Sequence, residues 1–229
     1  MRGGGMILRA LAEHRLLPVV TVPDVAAARG LARALLDAGL PLVEVTCRTP
    51  AALPAISALR AEFPGLLVGA GTVLDAVQAR AAVAAGAQFL LSPGFDAATV
   101  AAAQALGVPL VPGVMTPSDV MAALAAGLGR LKLFPAATIG GIGYLRTLAA
   151  VFPGVRFVPT GGVDGTNLAA YLAEPNVACC GGSWLAPAAA LRAGRWDEIH
   201  AGVRAALAVR GARAARAAAR GGAAAPQPA

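Results

Sequence analysis

The chain has 229 residues, 57% hydrophobic and 14% charged, which suits one large domain or two small ones and excludes an intrinsically disordered chain. Its formal charge of +7 sits at the ends: residues 1–15 carry a net +2, residues 201–229 a net +5, and residues 16–200 are neutral. A neutral body argues against a basic nucleic-acid groove across it.

Residues 1–15 read as a basic segment leading into a first helix. Met6-Ile7-Leu8 is too short an apolar run before Arg9 to be a signal peptide. Apolar runs then recur at 17–22, 42–47, 66–73, 89–94, 109–115, 130–135, 156–162 and 177–185. Continuous apolar runs of this length predict buried parallel strands. Between them, alanine-rich segments at 24–38, 50–63, 75–85, 96–106 and 117–126 predict helices. Several open on Asp, Thr or Pro and stop at Gly39, Gly86, Gly107 and Gly127.

Eight such β-then-α units in under about 250 residues predict an α/β fold of one domain, a closed (β/α)8 TIM barrel over 16–210. An open doubly wound sheet is the alternative, but no G-x-G-x-x-G follows the first strand. The uncharged stretch 97–118 is long enough to span a membrane. Its Gly107, Pro109, Pro112, Gly113 and Pro117 predict a helix and a buried strand instead. The last helix is predicted over 196–209. Residues 211–229 are expected to be a disordered Ala/Arg/Gly/Pro tail, lacking an apolar stripe to dock.

Barrels of this kind place their chemistry at the C-terminal ends of the strands. In the second run, Glu44, Thr46 and Arg48 share one face. A mid-strand carboxylate is costly unless paired. Glu44 is therefore a general acid or base, half of a structural Glu–Arg or Glu–Lys ion pair, or both at once if it lies beside Lys132, and Arg48 a clamp for an anionic substrate. In the third run, Gly69 and Gly71 would let a ligand approach the backbone or relieve crowding at the strand end, and Thr72 offers a hydroxyl. In the sixth, Lys132 and Phe134 face away from Leu131 and Leu133.

A lysine pointing into the barrel suits Schiff-base chemistry, because burial disfavours the ammonium. A buried ion pair and an outward snorkel are the alternatives. Eighteen of the nineteen basic residues are Arg, so the single lysine leans towards function. Thr160-Gly161-Gly162 and Gly181-Gly182-Ser183 end the last two runs, where such barrels hold phosphate on backbone N–H groups. His14 and His200 lie away from these strands, and no Cys/His/Asp spacing suits a metal. Cys47, Cys179 and Cys180 form no disulfide framework and read as small buried residues in a reducing compartment.

Six ordered segments carry a resemblance: 42–49 (LVEVTCRT), 68–73 (VGAGTV), 91–94 (LSPG), 132–136 (KLFPA), 157–162 (FVPTGG) and 181–185 (GGSWL). Together they resemble the KDPG/KHG aldolases over about residues 12–207. These are the class I 2-keto-3-deoxy-6-phosphogluconate and 4-hydroxy-2-oxoglutarate aldolases. The resemblance implies a lyase free of metal and cofactor, splitting a phosphorylated 2-keto acid into pyruvate and glyceraldehyde 3-phosphate in the Entner–Doudoroff route. It implies that Lys132 is the Schiff-base nucleophile and Glu44 the proton shuttle. Arg48 and Thr72 would hold the substrate carboxylate. Pro93 and Phe134 would shape the pyruvate pocket, and Thr160, Gly161, Gly162 and Ser183 would bind phosphate. It also implies a cytoplasmic homotrimer with no membrane or nucleic-acid partner.

The chain departs from the family pattern at Ala137-Thr138-Ile139, where an acidic residue is frequent. Rival expectations are the galactonate epimer as substrate, or another phosphate-binding barrel enzyme with Lys132 in an ion pair. A third is nucleic-acid binding by the Arg-rich tail, whose arginines have no interleaved aromatics.

Overall fold

A computed structural model describes residues 2–221 of the chain, and side chains for 5–211. In chain order the elements begin with α1 (Arg2–His14), β1 (Leu16–Val20), α2 (Val25–Asp37), β2 (Leu42–Thr46), α3 (Ala52–Glu62) and β3 (Leu67–Gly71). Next come α4 (Ala76–Ala84), β4 (Phe89–Leu91), α5 (Ala97–Ala105), β5 (Leu110–Val111), β6 (Gly113–Val114) and α6 (Pro117–Ala125). The chain continues through β7 (Arg130–Leu133), α7 (Gly141–Val151), β8 (Arg156–Pro159), α8 (Leu168–Ala173), β9 (Cys180–Gly182), α9 (Ala188–Arg192) and α10 (Trp196–Gly221).

The helix starts follow from local chemistry. The side chains of Asp24, Asp75 and Asp96 accept the backbone N–H of Ala27, Gln78 and Thr99, each at 2.7 Å. Each bond satisfies an otherwise orphaned helical donor. Thr116 and Asp119 form a reciprocal capping box at the start of α6. The stops at Gly39, Gly86, Gly107 and Gly127 all have φ between 68° and 100°, the left-handed turn that ends a helix without a Cβ penalty.

Every strand pairing is parallel. One sheet has the order β5-β4-β3-β2-β1-β9 and the other β6-β7-β8. The run at 109–115, expected as one strand, is two, β5 and β6, separated by Pro112. Proline has no N–H to give the ladder, so it interrupts the run there. Its carbonyl still accepts the Lys132 N–H at 2.8 Å. On the far side, isolated bridges Phe157↔Val177 and Thr160↔Gly181 link β8 to β9.

The strands are buried almost throughout, β2 at all five positions. The helices cover them with alanine and leucine: α2 buries Ala27, Ala28, Leu31, Ala32, Ala34 and Leu35 on one face. Each buried Leu contributes about 1.5–3 kcal/mol of apolar transfer, and the alanines let helix and sheet approach closely. None of the described helices is long and apolar enough to cross a membrane; residues 97–118 form α5, β5, β6 and the start of α6.

The last helix runs past Gly211 to Gly221. Alanine and arginine are among the best helix formers, so this stretch continues the helix without needing a docking stripe. Residues 222–229, the rest of the expected disordered tail, lie outside the described residues.

Candidate active site

Lys132 is the third residue of β7, and strand alternation turns it inward while Leu131 and Leu133 are fully buried on the other face. Glu44 is the third residue of β2. These strands are not neighbours in either sheet. Even so, Lys132 Nζ lies 3.2 Å from Glu44 Oε1, so the pair joins a strand of one sheet to a strand of the other. Lys132 is 5% exposed and Glu44 0%. Glu44 Oε2 is buried without a protein partner. A buried carboxylate oxygen left open in this way is poised for a ligand or a proton.

Gly71 is what makes room for the pair. A Cβ there would overlap the Glu44 carboxylate, and one at Gly69 would overlap the Phe89 ring. The two glycines thus relieve crowding by protein side chains, the second of the two roles expected for them. Gly71→Ala is expected to lower stability by about 1–3 kcal/mol through overpacking. Urea unfolding measures it; an unchanged midpoint and slope would mean that Glu44 has another resting place.

Phe134 places its ring centroid 5.5 Å from Lys132 Nζ, within cation–π range. Arg48 Nε donates to Thr72 Oγ1 at 3.1 Å. Thr72 has φ 55°, a left-handed conformation that is costly for a β-branched residue. Strain of this kind collects at binding sites, where surrounding structure over-determines it.

Above the pair, a cavity of about 200 Å³ is lined by Arg48, Phe134, Thr160, Gly161, Gly162 and Ser183. Six of the ten expected site residues therefore meet in one hollow. Lys132, Glu44 and Thr72 are not on its lining but bond or pack against each other or against Arg48 and Phe134. Pro93 is not on the lining either; its carbonyl packs so closely on Gly113 that a Cβ there would overlap it.

The loop ends are pinned to each other. The N–H groups of Ala136 and Ala137 donate to Thr160 and Gly161 carbonyls, both at 2.9 Å. A Cβ on Gly162 would overlap Ala137, so the alanine fits a neighbour that has no side chain.

Two threonines were not singled out as site residues from the sequence. Thr21 and Thr46 hydroxyls lie 2.8 Å apart on the same cavity wall. Thr46 shares the inward face of β2 with Glu44, a signal available from alternation. Thr21 lies just beyond β1 and carries no such mark.

Cys47 is half-buried, and burial first, with the Glu44 charge second, pushes its thiol up. Burial likewise raises Cys179 well above an ordinary thiol. A raised thiol disfavours the thiolate that reactive cysteines need. Among the described residues no group of three His, Cys, Asp or Glu side chains could hold a metal. Larger hollows of about 310 and 350 Å³ adjoin Trp196 on the outer helices, remote from the strand ends.

A family model described as KDPG and KHG aldolase matches residues 7–202. The 2-dehydro-3-deoxy-phosphogluconate aldolase of Treponema pallidum is 46% identical over 195 residues, covering 85% of this chain and 93% of that protein. The KDPG aldolase of Legionella pneumophila was solved with pyruvate captured as a covalent carbinolamine. It is 41% identical, covers 87% of this chain and 97% of its own, and superposes with a TM-score of 0.85. The 2-keto-3-deoxy-6-phosphogluconate aldolase of Zymomonas mobilis, solved with 3-phosphoglycerate, is 42% identical. It covers 91% of this chain and 97% of its own, with a TM-score of 0.83.

Proposed function

The chain belongs to the KDPG and KHG aldolase family, carbon–carbon lyases, and we propose that it cleaves 2-keto-3-deoxy-6-phosphogluconate to pyruvate and glyceraldehyde 3-phosphate through a Schiff base on Lys132. The observation that carries this reading is the buried Lys132–Glu44 pair beneath a cavity that Arg48 and Ser183 line.

Lys132 Nζ adds to the C2 ketone, and loss of water gives an iminium. Glu44, 3.2 Å away, takes the proton that the amine must lose. Glu44 delivers that proton to the carbinolamine hydroxyl, which leaves as water, and as a carboxylate again it takes the proton of the C4 hydroxyl. The C3–C4 bond breaks, its electrons pass into the iminium to form an enamine, and glyceraldehyde 3-phosphate leaves. Glu44 returns a proton to C3, and hydrolysis frees pyruvate and the amine. The iminium is the electron sink, so the chemistry needs no metal and no cofactor. Arg48, oriented by Thr72, holds the carboxylate so that C2 faces the amine.

Thr160, Gly161, Gly162 and Ser183 take the phosphate; Pro93 stands behind the pocket through Gly113, and Phe134 walls its pyruvate end. The carbinolamine in the Legionella relative and the 3-phosphoglycerate in the Zymomonas relative support the two ends of this pocket. The phosphate-free 4-hydroxy-2-oxoglutarate is a slower second substrate in this reading.

Borohydride reduction in the presence of pyruvate tests the mechanism. One pyruvate-derived mass increment on the peptide carrying Lys132 is expected, and its absence would reject the Schiff base. The α-amino group is the chain's one other primary amine, so the adduct is unambiguous. Ser183→Ala is expected to raise KM for the phosphorylated substrate by about tenfold, one charge-assisted hydrogen bond, and to leave 4-hydroxy-2-oxoglutarate unaffected. Equal effects on both would place the phosphate elsewhere.

The two sheets read best as one closed (β/α)8 barrel. The bridges from β8 to β9, and the pairing of β5 with β4 and of β6 with β7 either side of Pro112, support closure. A homotrimer in the cytoplasm completes the proposal. Leu74, Val77, Met115 and Met121 are exposed apolar side chains beside α4 and α6, as an interface would require. A monomer in sedimentation equilibrium would reject the trimer. The side chains of Arg213, Arg216 and Arg220, on which nucleic-acid binding would rest, lie outside the described ones.

A further inference from the structure

A second cavity, of about 260 Å³, lies at the opposite ends of the strands, away from Lys132. Arg130 and Arg156 are the first residues of β7 and β8, and Arg15 immediately precedes β1. All three line this cavity. Arg130 and Arg156 are register partners, so two guanidinium-bearing residues sit directly opposite each other. Like charges in that relation destabilise a strand pair unless something neutral or negative intervenes.

Nothing negative on the wall is free to do so. Arg15 Nη2 donates to the Leu172 and Val177 carbonyls at 3.1 and 2.9 Å. Arg156 Nη1 donates to the Pro153 and Val155 carbonyls at 3.0 and 3.1 Å. Arg130 Nη1 donates to the Leu8 carbonyl, and Arg130 Nε is buried without a partner. These acceptors are neutral. Glu174 also lines the cavity, but Arg146 holds its carboxylate through bonds of 2.8, 3.1 and 3.2 Å. Among the described residues, none of the three arginines is in an ion pair.

Arg15 also has φ 58°, so its backbone is held in a disfavoured conformation at this wall. Burial makes Arg130 a weaker base than an ordinary arginine, with Cys179 opposing the shift and the charge of Arg156 adding to it.

We propose that this cavity is an anion site that takes a small phosphate-class oxyanion, separate from the pocket for the substrate phosphate. A tetrahedral oxyanion offers several acceptor oxygens to planar guanidinium forks approaching from three sides, which one carboxylate cannot match. Bound there, it would cancel the Arg130–Arg156 repulsion. It would also join the ends of β1, β7 and β8, at a point where Arg130 already reaches α1 through Leu8.

Inorganic phosphate titrated calorimetrically into wild type, Arg156→Gln and Ser183→Ala, in chloride buffer, tests the proposal. Arg156 is exposed, so its replacement spares the core. Binding is expected to persist in Ser183→Ala and to weaken by about tenfold or more in Arg156→Gln. At ten times its Kd, phosphate is expected to raise the wild-type Tm by about 3–6 °C. Equal affinity in wild type and Arg156→Gln would overturn the proposal. So would loss of binding in Ser183→Ala alone, which would put the anion in the substrate pocket. A wild-type measurement stands beside these: phosphate is expected to protect Arg156 from phenylglyoxal, read by peptide mass. Unchanged modification with and without phosphate would also overturn it.

Discussion

Lys132→Arg is expected to lower kcat by about a thousandfold or more, the scale of losing a covalent nucleophile, while leaving the fold in place. The substitution separates two roles that the structure superimposes. Lys132 is both the candidate nucleophile and the partner of a fully buried carboxylate. A guanidinium keeps the second role, since it pairs well with carboxylates, sometimes through two parallel bonds. It cannot keep the first, because it does not give up its proton near neutral pH. The longer side chain is expected to cost about 1–3 kcal/mol in a site with little slack. Circular dichroism and a thermal melt would show that modest loss. The rate on 2-keto-3-deoxy-6-phosphogluconate and borohydride trapping with pyruvate would show the large one. A near-normal rate in the arginine variant would reduce Lys132 to an ion-pair partner and remove the basis of the proposed chemistry.

Much of this was legible because strand geometry is periodic. Alternation alone placed Lys132 opposite Leu131 and Leu133, and all eight apolar runs overlap at least one strand. Local capping rules likewise located the helix starts at Asp24, Asp75 and Asp96. What was not legible depends on distance through space. That Glu44 partners Lys132 was expected from chemistry, a buried carboxylate needing a cation, but the path by which they meet was not, since they are 88 residues apart on strands that do not pair. The glycines of β3 show the same limit. A missing Cβ announces that something comes close, but only the packed structure says that it is the Glu44 carboxylate and the Phe89 ring. Pro112 was visible as a residue without a donor, and its effect was still missed, because the flanking apolar run outweighed it. The cavity walled by Arg15, Arg130 and Arg156 was hidden for a simpler reason. The charge count of residues 16–200 is neutral, and that average conceals Arg130 and Arg156, which gather at one end with Arg15 of the N-terminal segment.

Glu44→Gln is expected to lower kcat by about 10²- to 10⁴-fold, the range for a positioned general acid–base. The amide is nearly isosteric, so Gly71 still accommodates it and the geometry of the cavity is kept. What changes is that no group within reach of Lys132 Nζ can accept a proton. Two steps should therefore slow, and they can be read separately. Pyruvate bound as an iminium loses and regains methyl protons through its enamine, so deuterium enters the methyl group in heavy water and is followed by NMR. That exchange is expected to fall by a factor similar to kcat. Borohydride trapping reports iminium formation alone, and is expected to slow but to reach the same final yield on long incubation. Stability is a third reading. The variant leaves the Lys132 ammonium in a site only 5% exposed, with no counter-charge. Breaking a buried pair costs about 3–5 kcal/mol when the remaining ion stays charged. A melt lowered by much less than that would mean that the ion pair adds little stability over the amide. Unchanged deuterium exchange alongside slowed trapping would confine Glu44 to activating the amine. The proton at C3 would then have to come from elsewhere, and the Thr21–Thr46 hydroxyl pair on the same wall would be the next group to replace.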